Sequence, residues 1–329
     1  HADKKYKEAV AVAVEACAED TKGQTCYICT QALHWKTKEG LVRMCACRGT
    51  AGLAHVSCLA EQAKILVAEA EENNLGIETR DERFARWFAC SLCGQQYHGV
   101  MYCALGWACW KTYLGRPEGN EIRLTAMRQL GTGLHFAKDY AAAVSVKEAE
   151  LATLRRIGGT ESDILITLAN LAGTYDELGR REDSLRILQD VYSRRLEFSG
   201  EENVHTISAA INYAVTLNDL ERSAEAKSLL RKKMPVARRV LGDSHESTLR
   251  MKWAYARALY DDSGESLDDH REAVKTLENT DRIARRVLGG AHPLTTGIEG
   301  DLRSVRAALR AREEFDVCEA VAAMAPPSA

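Results

Sequence analysis

From residue 121 onward the chain alternates apolar stripes with polar faces at helical spacing. In "DILITLANLAGTYDELGR" the positions Leu168, Leu171, Ala172 and Tyr175 recur at intervals of three and four. In "REDSLRILQDVYSRRLEF" Leu185, Leu188, Val191 and Tyr192 do the same. Each set falls on one face of an α-helix, and the turn between them makes the segment a helix hairpin. The pattern then repeats. Gly158, Gly200 and Gly242 are spaced by 42 residues, as are Asn170 and Asn212, and Ile164, Thr206 and Thr248. Gly289 follows after 47, the extra residues falling in "DDSGES", which lengthens one turn. A fixed period of this size predicts a solenoid of stacked helix pairs. We count about four hairpins over 121–290, the first of them degenerate, with 291–329 as a C-terminal capping helix and a frayed tail, "APPSA".

The first 120 residues have a different pattern. Residues 1–23 predict an N-terminal helix. Leu59, Ala63, Leu66, Val67 and Ala70 share one helical face, so a second helix packs there. It ends in the charged run "AEAEENN", and "ENNLGIETRDE" reads as a loop. Residues 99–120 form a hydrophobic connector whose Trp107, Trp110 and Tyr113 pack against the segment after it. The turn signals of "GRPEGNE" place a boundary at 115–121. No run of 18 apolar residues exists; the nearest, "GVMYCALGWACW", is uncharged for only 12, so no transmembrane segment is expected.

Composition narrows the class. With 46% hydrophobic and 28% charged residues the chain is an ordinary globular protein, and only five prolines favour helix. Residues 1–116 carry 14 Lys and Arg against 13 Asp and Glu, and the remainder 30 against 34. Neither part has the basic footprint of a nucleic-acid binder. Ten of the eleven cysteines precede residue 110. Disulfides staple small secreted domains, and a long Ala-rich helical chain does not need them. Metal binding in a reducing, intracellular compartment is therefore expected. The compartment is read as cytoplasmic, or organellar if a targeting peptide was removed before His1.

The cysteines pair by spacing: Cys26 with Cys29, Cys45 with Cys47, His55 with Cys58, and Cys90 with Cys93. Two thiolates on one tight turn reach a tetrahedral zinc from one side, and each zinc needs two such pairs. Four pairs make two structural Zn2+ sites. The glycines of "CRGTAGLAH" let the backbone bend around a metal. Eight ligands close both sites, whereas catalytic zinc keeps an open position. A cysteine nucleophile would need a metal-free thiolate beside a base. Cys17, Cys103, Cys109 and Cys318 fall outside the pattern, with Cys103 and Cys109 in an apolar stretch that reads as core. His34 and His98 lie near ligand pairs without partners at ligand spacing, and read as surface residues or neighbours of the ligands.

The order Cys-Cys-Cys-Cys-His-Cys-Cys-Cys, with Cys45-x-Cys47 seven residues before His55-x-x-Cys58, resembles the RING-CH (RING-variant) zinc finger over residues 24–98. "CACRGTAGLAHVSCL" is close to that family's central motif. The resemblance implies a cross-brace in which Cys26, Cys29, His55 and Cys58 share one zinc and Cys45, Cys47, Cys90 and Cys93 the other. The PHD finger has the same ligand order, and Trp87 and Phe88 before the seventh ligand suit it, which would make a histone reader. It usually spaces the second pair by two and reaches its histidine sooner. RING-type domains form no covalent intermediate. They hold a ubiquitin-conjugating enzyme with its thioester-linked ubiquitin poised for attack, a positioning effect. By resemblance, Ile28 between the first two ligands and Leu59 after the sixth line that groove, and Trp87 is placed there with them. Departures are Gln62 where the family often has Trp, 31 residues between Cys58 and Cys90, and no basic residue in "GQQYHG" after Cys93.

The repeats resemble kinesin-light-chain-like tetratricopeptide repeats. The matching residues are the "NLA"-like cores at Asn170 and Asn212, "ELGR" at 177–180, and "LG-x-x-H" at 241–245 and 288–292. The resemblance implies a groove for protein partners, with Asn170 and Asn212 bonding a bound peptide's backbone. The chain thus reads as a mainly α protein, a small two-zinc module followed by TPR-like hairpins. The function implied is a soluble RING-CH-type ubiquitin ligase whose repeats recruit substrate. The alternative is a non-catalytic scaffold or subunit of a larger complex.

Overall fold

The structure is a computed structural model that describes residues 1–43, 45, 47, 49–260, 266–290 and 292–323. It divides into two compact units, 1–178 and 179–329.

The first unit opens with α1 (Ala2–Ala16) and the single turn α2 (Ala18–Thr21). The predicted N-terminal helix is interrupted at Cys17, whose buried Sγ accepts the N–H of Arg43 at 3.3 Å. Two short antiparallel strands follow, β1 (Val42–Arg43) and β2 (Leu53–Ala54), paired Val42 to Ala54 and Arg43 to Leu53. The chain continues through α3 (Val56–Glu72) and α4 (Ile77–Phe84). Residues 77–84 differ from the loop expected there. The turn before them is closed by Asn74 in the left-handed region. Glu78 then lies in the first turn of α4 and Arg83 in the last, complementing the helix dipole, and Phe84 is buried at its end.

The apolar connector is itself a helix, α5 (Gly99–Tyr113). Tyr102, Leu105, Ala108 and Cys109 are all buried, because α5 packs on α1 on one side and on α6 (Glu121–Phe136) on another. A helix apolar all round is one covered all round. At the α5–α6 crossing the backbones nearly touch: a Cβ on Gly133 would stand 2.9 Å from the Cα of Cys103. The unit finishes with α7 (Tyr140–Ile157) and α8 (Glu161–Glu177). The turn at 115–120 therefore lies within a compact unit.

The second unit holds α9 (Arg181–Ser199), α10 (Val204–Asp219), α11 (Ser223–Leu241), α12 (Glu246–Tyr260), α13 (Leu267–Val287) and α14 (Pro293–Ala323). Its core alternates large and small: Leu249, Leu259 and Leu277 against Ala226, Ala256, Ala273 and Ala284, all fully buried. Each such leucine contributes about 2–5 kcal/mol against truncation to Ala. The landmarks of the repeat have local causes. Gly158, Gly200, Gly242 and Gly289 end helices with φ of 68°, 76°, 88° and 88°. The histidine of "LG-x-x-H" is a cap: Nδ1 of His245 accepts the N–H of Ser247 at 3.1 Å, and Nδ1 of His292 that of Leu294 at 3.2 Å. Asn203 does the same for His205 at the start of α10 (2.8 Å). The insertion at 261–265 and the tail lie outside the described residues. Among the described residues no helix is long and apolar enough to cross a membrane.

Candidate metal centre

Two turns of identical build carry the first and last ligand pairs. In "CYIC" the N–H of Ile28 reaches Sγ of Cys26 at 3.4 Å, and in "CSLC" that of Leu92 reaches Sγ of Cys90 at 3.4 Å. Thr30 N–H bonds the Cys26 carbonyl (2.8 Å), as Gly94 N–H bonds that of Cys90 (2.9 Å). The residue closing each turn is left-handed, Thr30 at φ 62° and Gly94 at φ 71°. Each turn thereby aims two sulfurs to one side.

The β1–β2 pairing places the other four ligands. Cys45 and Cys47 leave β1, while His55 leaves β2 and Cys58 falls in the first turn of α3. The connection between the strands therefore carries Cys45 and Cys47 toward the last turn, and the chain leaving β2 carries His55 and Cys58 toward the first. The positive end of α3 favours a thiolate at Cys58. The donor atoms of Cys26, Cys29, His55 and Cys58 lie within 4.8 Å of one another, and so do those of Cys45, Cys47, Cys90 and Cys93. No other such group occurs among the described residues.

The dimensions suit zinc. Four donors about 2.3 Å from one centre stand about 3.8 Å apart. Sγ of Cys47 and Cys90 are 3.9 Å apart, and Nδ1 of His55 is 3.3 Å from Sγ of Cys29 and 3.6 Å from Sγ of Cys58. The ring is oriented from behind: Nε2 of His55 lies 3.3 Å from the carbonyl of Ala32. A carbonyl only accepts, so Nε2 carries the proton and Nδ1 turns its lone pair to the sulfurs. His34 packs edge-on to the same ring, centroids 5.3 Å apart. Burial holds the His55 imidazole below its ordinary range, keeping it neutral. Burial, and then the surrounding thiols, push Cys45 and Cys58 well above theirs. Despite burial, backbone N–H groups hold Cys26 and Cys90 below theirs, and the sulfurs of each cluster become thiolates together only around a cation. The two clusters fit two zinc ions, which when bound would crosslink the module and leave no position for a substrate.

Among the described residues, the cysteines outside the clusters join no group of possible ligands. Cys103 and Cys109 are buried in the apolar core, and the ten described cysteines are free thiols. The side chain of Cys318 lies outside the described residues. Ile28 is exposed on its turn. Leu59 and Trp87 are a correction: at 3% and 1% exposure they face the core and line no surface groove. Leu59 shares the buried face of α3 with Ala63, Val67 and Ala70, and Trp87 packs edge-on to Tyr113. The exposed counterpart of Ile28 is Leu92, 56% exposed on the matching turn. The equivalence of "CYIC" and "CSLC" is the signal that points to it. Asn170 is exposed on α8 and Asn212 half-buried on α10.

Comparison with known protein families agrees with this architecture. Residues 26–75 match the RING-variant domain family, and residues 164–204 and 206–247 the tetratricopeptide repeat family. The RING-variant match ends before Cys90 and Cys93, which the fold brings to the second cluster. No curated protein matches the chain. Among solved structures, two of a kinesin-light-chain-type protein with nearly identical TPR-like repeats from Podosopora anserina, one of them a point variant, are each 18% identical. They cover 70% of this chain and 97% of their own, with TM-scores of 0.46 and 0.44. BtubC from P. vanneervenii is 12% identical over 78% of this chain and 91% of its own, with a TM-score of 0.43. The chain carries a RING-variant zinc-binding domain followed by tetratricopeptide repeats, and is a zinc-binding protein-interaction protein.

Proposed function

We propose that the chain is a RING-CH-type ubiquitin ligase, its zinc module holding a ubiquitin-conjugating enzyme and its repeats recruiting the substrate. The observation that carries this reading is the pair of equivalent metal turns, each presenting one aliphatic side chain to solvent, Ile28 and Leu92. Two zincs would fix those side chains on rigid turns, so little order is lost on docking. No residue of the chain acts covalently; catalysis is the orientation of a thioester on the bound enzyme. In the repeats, Asn170 of the first unit and Asn212 of the second each carry a carboxamide that can donate to and accept from a peptide backbone.

Purified protein incubated with ubiquitin, activating enzyme and a panel of conjugating enzymes tests the proposal. Discharge of the thioester is expected, and loss of that discharge in Ile28→Ala and Leu92→Ala. Neither discharge nor autoubiquitination with any member of the panel would overturn it. A second reading is supported by Gln62 on α3 and by Gln95 and Gln96 after the last ligand, where active members carry aromatic and basic groups. On that reading both parts are binding surfaces of a scaffold. Recovery as a stoichiometric component of a purified complex, with no discharge activity, is its expected result.

A further inference from the structure

The loop after the first ligand pair is braced so that it holds Leu33 and Trp35 outward. His34 N–H bonds the Glu39 carbonyl at 3.0 Å and Lys38 N–H bonds the His34 carbonyl at 2.9 Å. Nδ1 of His34 accepts both the N–H (3.1 Å) and the hydroxyl (2.8 Å) of Thr37. The Glu39 carboxylate in turn accepts the N–H and hydroxyl of Ser57, at 2.7 and 2.8 Å, at the start of α3. On this frame Trp35 stands 67% exposed. A tryptophan can bury on the order of 200 Å² and is enriched among the residues that dominate protein interfaces. Here its loop is already ordered, so docking costs little entropy.

Beside Trp35 opens a groove of about 700 Å³, floored by Ala60 of α3 and Ala108 of α5. Its charged lining is three lysines, Lys36, Lys64 and Lys111, against one carboxylate, Glu61. Lys64 lies 3.4 Å from Glu61 and Lys111 lies 2.6 Å from Asp3, while Lys36 has no ion-pair partner among the described residues. Exposed pairs of this kind are worth about 1 kcal/mol or less, so an incoming carboxylate can replace them. The groove exists only because α1 and α5 pack beside the metal module. Ala60 and Lys64, one turn apart, share a face of α3 that Gln62 does not. Neither Ile28 nor Leu92 lines the groove, so it is a separate surface from the one proposed for the conjugating enzyme.

We propose that this groove binds an acidic segment of a partner protein, with an apolar residue of that segment packed on Trp35 and its carboxylates on Lys36, Lys64 and Lys111. Fluorescein-labelled peptides of alternating glutamate and leucine, and of alternating lysine and leucine, test this by anisotropy against the full chain. The glutamate peptide should bind, and the lysine peptide should not. Affinity for the glutamate peptide should fall by at least about tenfold in Trp35→Ala and in Lys36→Glu, and should weaken as salt is raised. Both positions are exposed, and unchanged zinc content and circular dichroism establish that the variants fold. Equal binding of both peptides, or undiminished affinity in both variants, would overturn the proposal. So would a concentration-dependent dimer abolished by Trp35→Ala, which makes a second copy the occupant. Binding to anionic vesicles with no binding of the peptide would overturn it as well.

Discussion

Replacing Lys147 by Met should stabilise the folded chain at neutral pH, and the gain should shrink as pH rises. Lys147 is 4% exposed on α7. Its Nζ donates to the carbonyl of Asn170 at 2.9 Å and to Oγ1 of Thr174 at 2.6 Å, with no carboxylate in ion-pair reach among the described residues. Burial lowers its pKa from 10.5 to about 8. At about 1.4 kcal/mol per pH unit, the charged form costs about 3 kcal/mol in the fold. Met keeps the length of the stem and removes the charge. It also removes two hydrogen bonds, worth about 1 kcal/mol each, although Thr174 still donates to Asn170 (3.1 Å). The net expectation is a gain of about 1 kcal/mol at pH 7.

The pH dependence has a definite sign. The folded pKa lies below the unfolded one, so between about 8 and 10.5 the unfolded chain binds the proton more strongly. Wild-type stability therefore rises with pH through that window relative to the variant. At about pH 9.5 the charge penalty has fallen by about 2 kcal/mol, and the advantage of Met should be gone or reversed. The neighbours keep their states over this range. Burial holds the His135 imidazole below its usual range, and Tyr140 is pushed above its own by burial and Glu177. Urea melts of both proteins at pH 7 and 9.5, followed by tryptophan fluorescence, give the comparison. Trp35, Trp87, Trp107 and Trp110 all lie in the unit that contains Lys147. A variant less stable than wild type by more than about 1 kcal/mol at pH 7 would refute the reasoning, as would a gap independent of pH.

Four further outcomes are expected. Native mass spectrometry should read two zinc ions per chain and one in Cys47→Ser; one ion in the wild type would contradict the paired clusters. Gly94→Ala meets nothing within 4 Å and so adds only left-handed strain, about 1–2 kcal/mol; it should lose zinc to a chelator sooner than wild type. Thr30→Gly, which removes the same strain from the first turn, should hold zinc at least as well as wild type under that challenge. His245→Ala, stripped of the acceptor for Ser247 at the start of α12, should cost about 1 kcal/mol in thermal melts, and His245→Asn should restore it.

The metal centre was legible because its chemistry demands pairs, and pairs survive as spacing whatever lies between them. Cys58 and Cys90 are separated by 31 residues that include α4 and most of α3. The second cluster still closes, because β1 and β2 fix where the strap between them begins and ends. The repeats were legible for a similar reason: glycine closes each unit, and a side-chain acceptor opens the next.

Position relative to a ligand does not decide which side chains face solvent, and Leu59 shows why. Its place after the sixth ligand suggested a partner groove. Its periodicity with Ala63, Val67 and Ala70 pointed to the core, and the structure sides with periodicity. Ligand spacing says how the metal is held. It does not say which side of the following helix the rest of the protein covers, and here α5 extends the core across that side. Lys147 was illegible for the complementary reason. Its helix carries charges at a spacing that suits a solvated face. Gly131 on α6 clears the space its stem occupies, since a Cβ there would stand 3.0 Å from Cγ of Lys147. A lysine buried because the neighbouring helix lacks a side chain leaves no mark on its own helical pattern. The same logic applies to Trp35, where an apolar side chain stays in solvent because the loop beneath it is bound by Glu39 and His34. Such positions are where local pattern and tertiary structure disagree, and in a folded protein those disagreements concentrate where the chain meets something else.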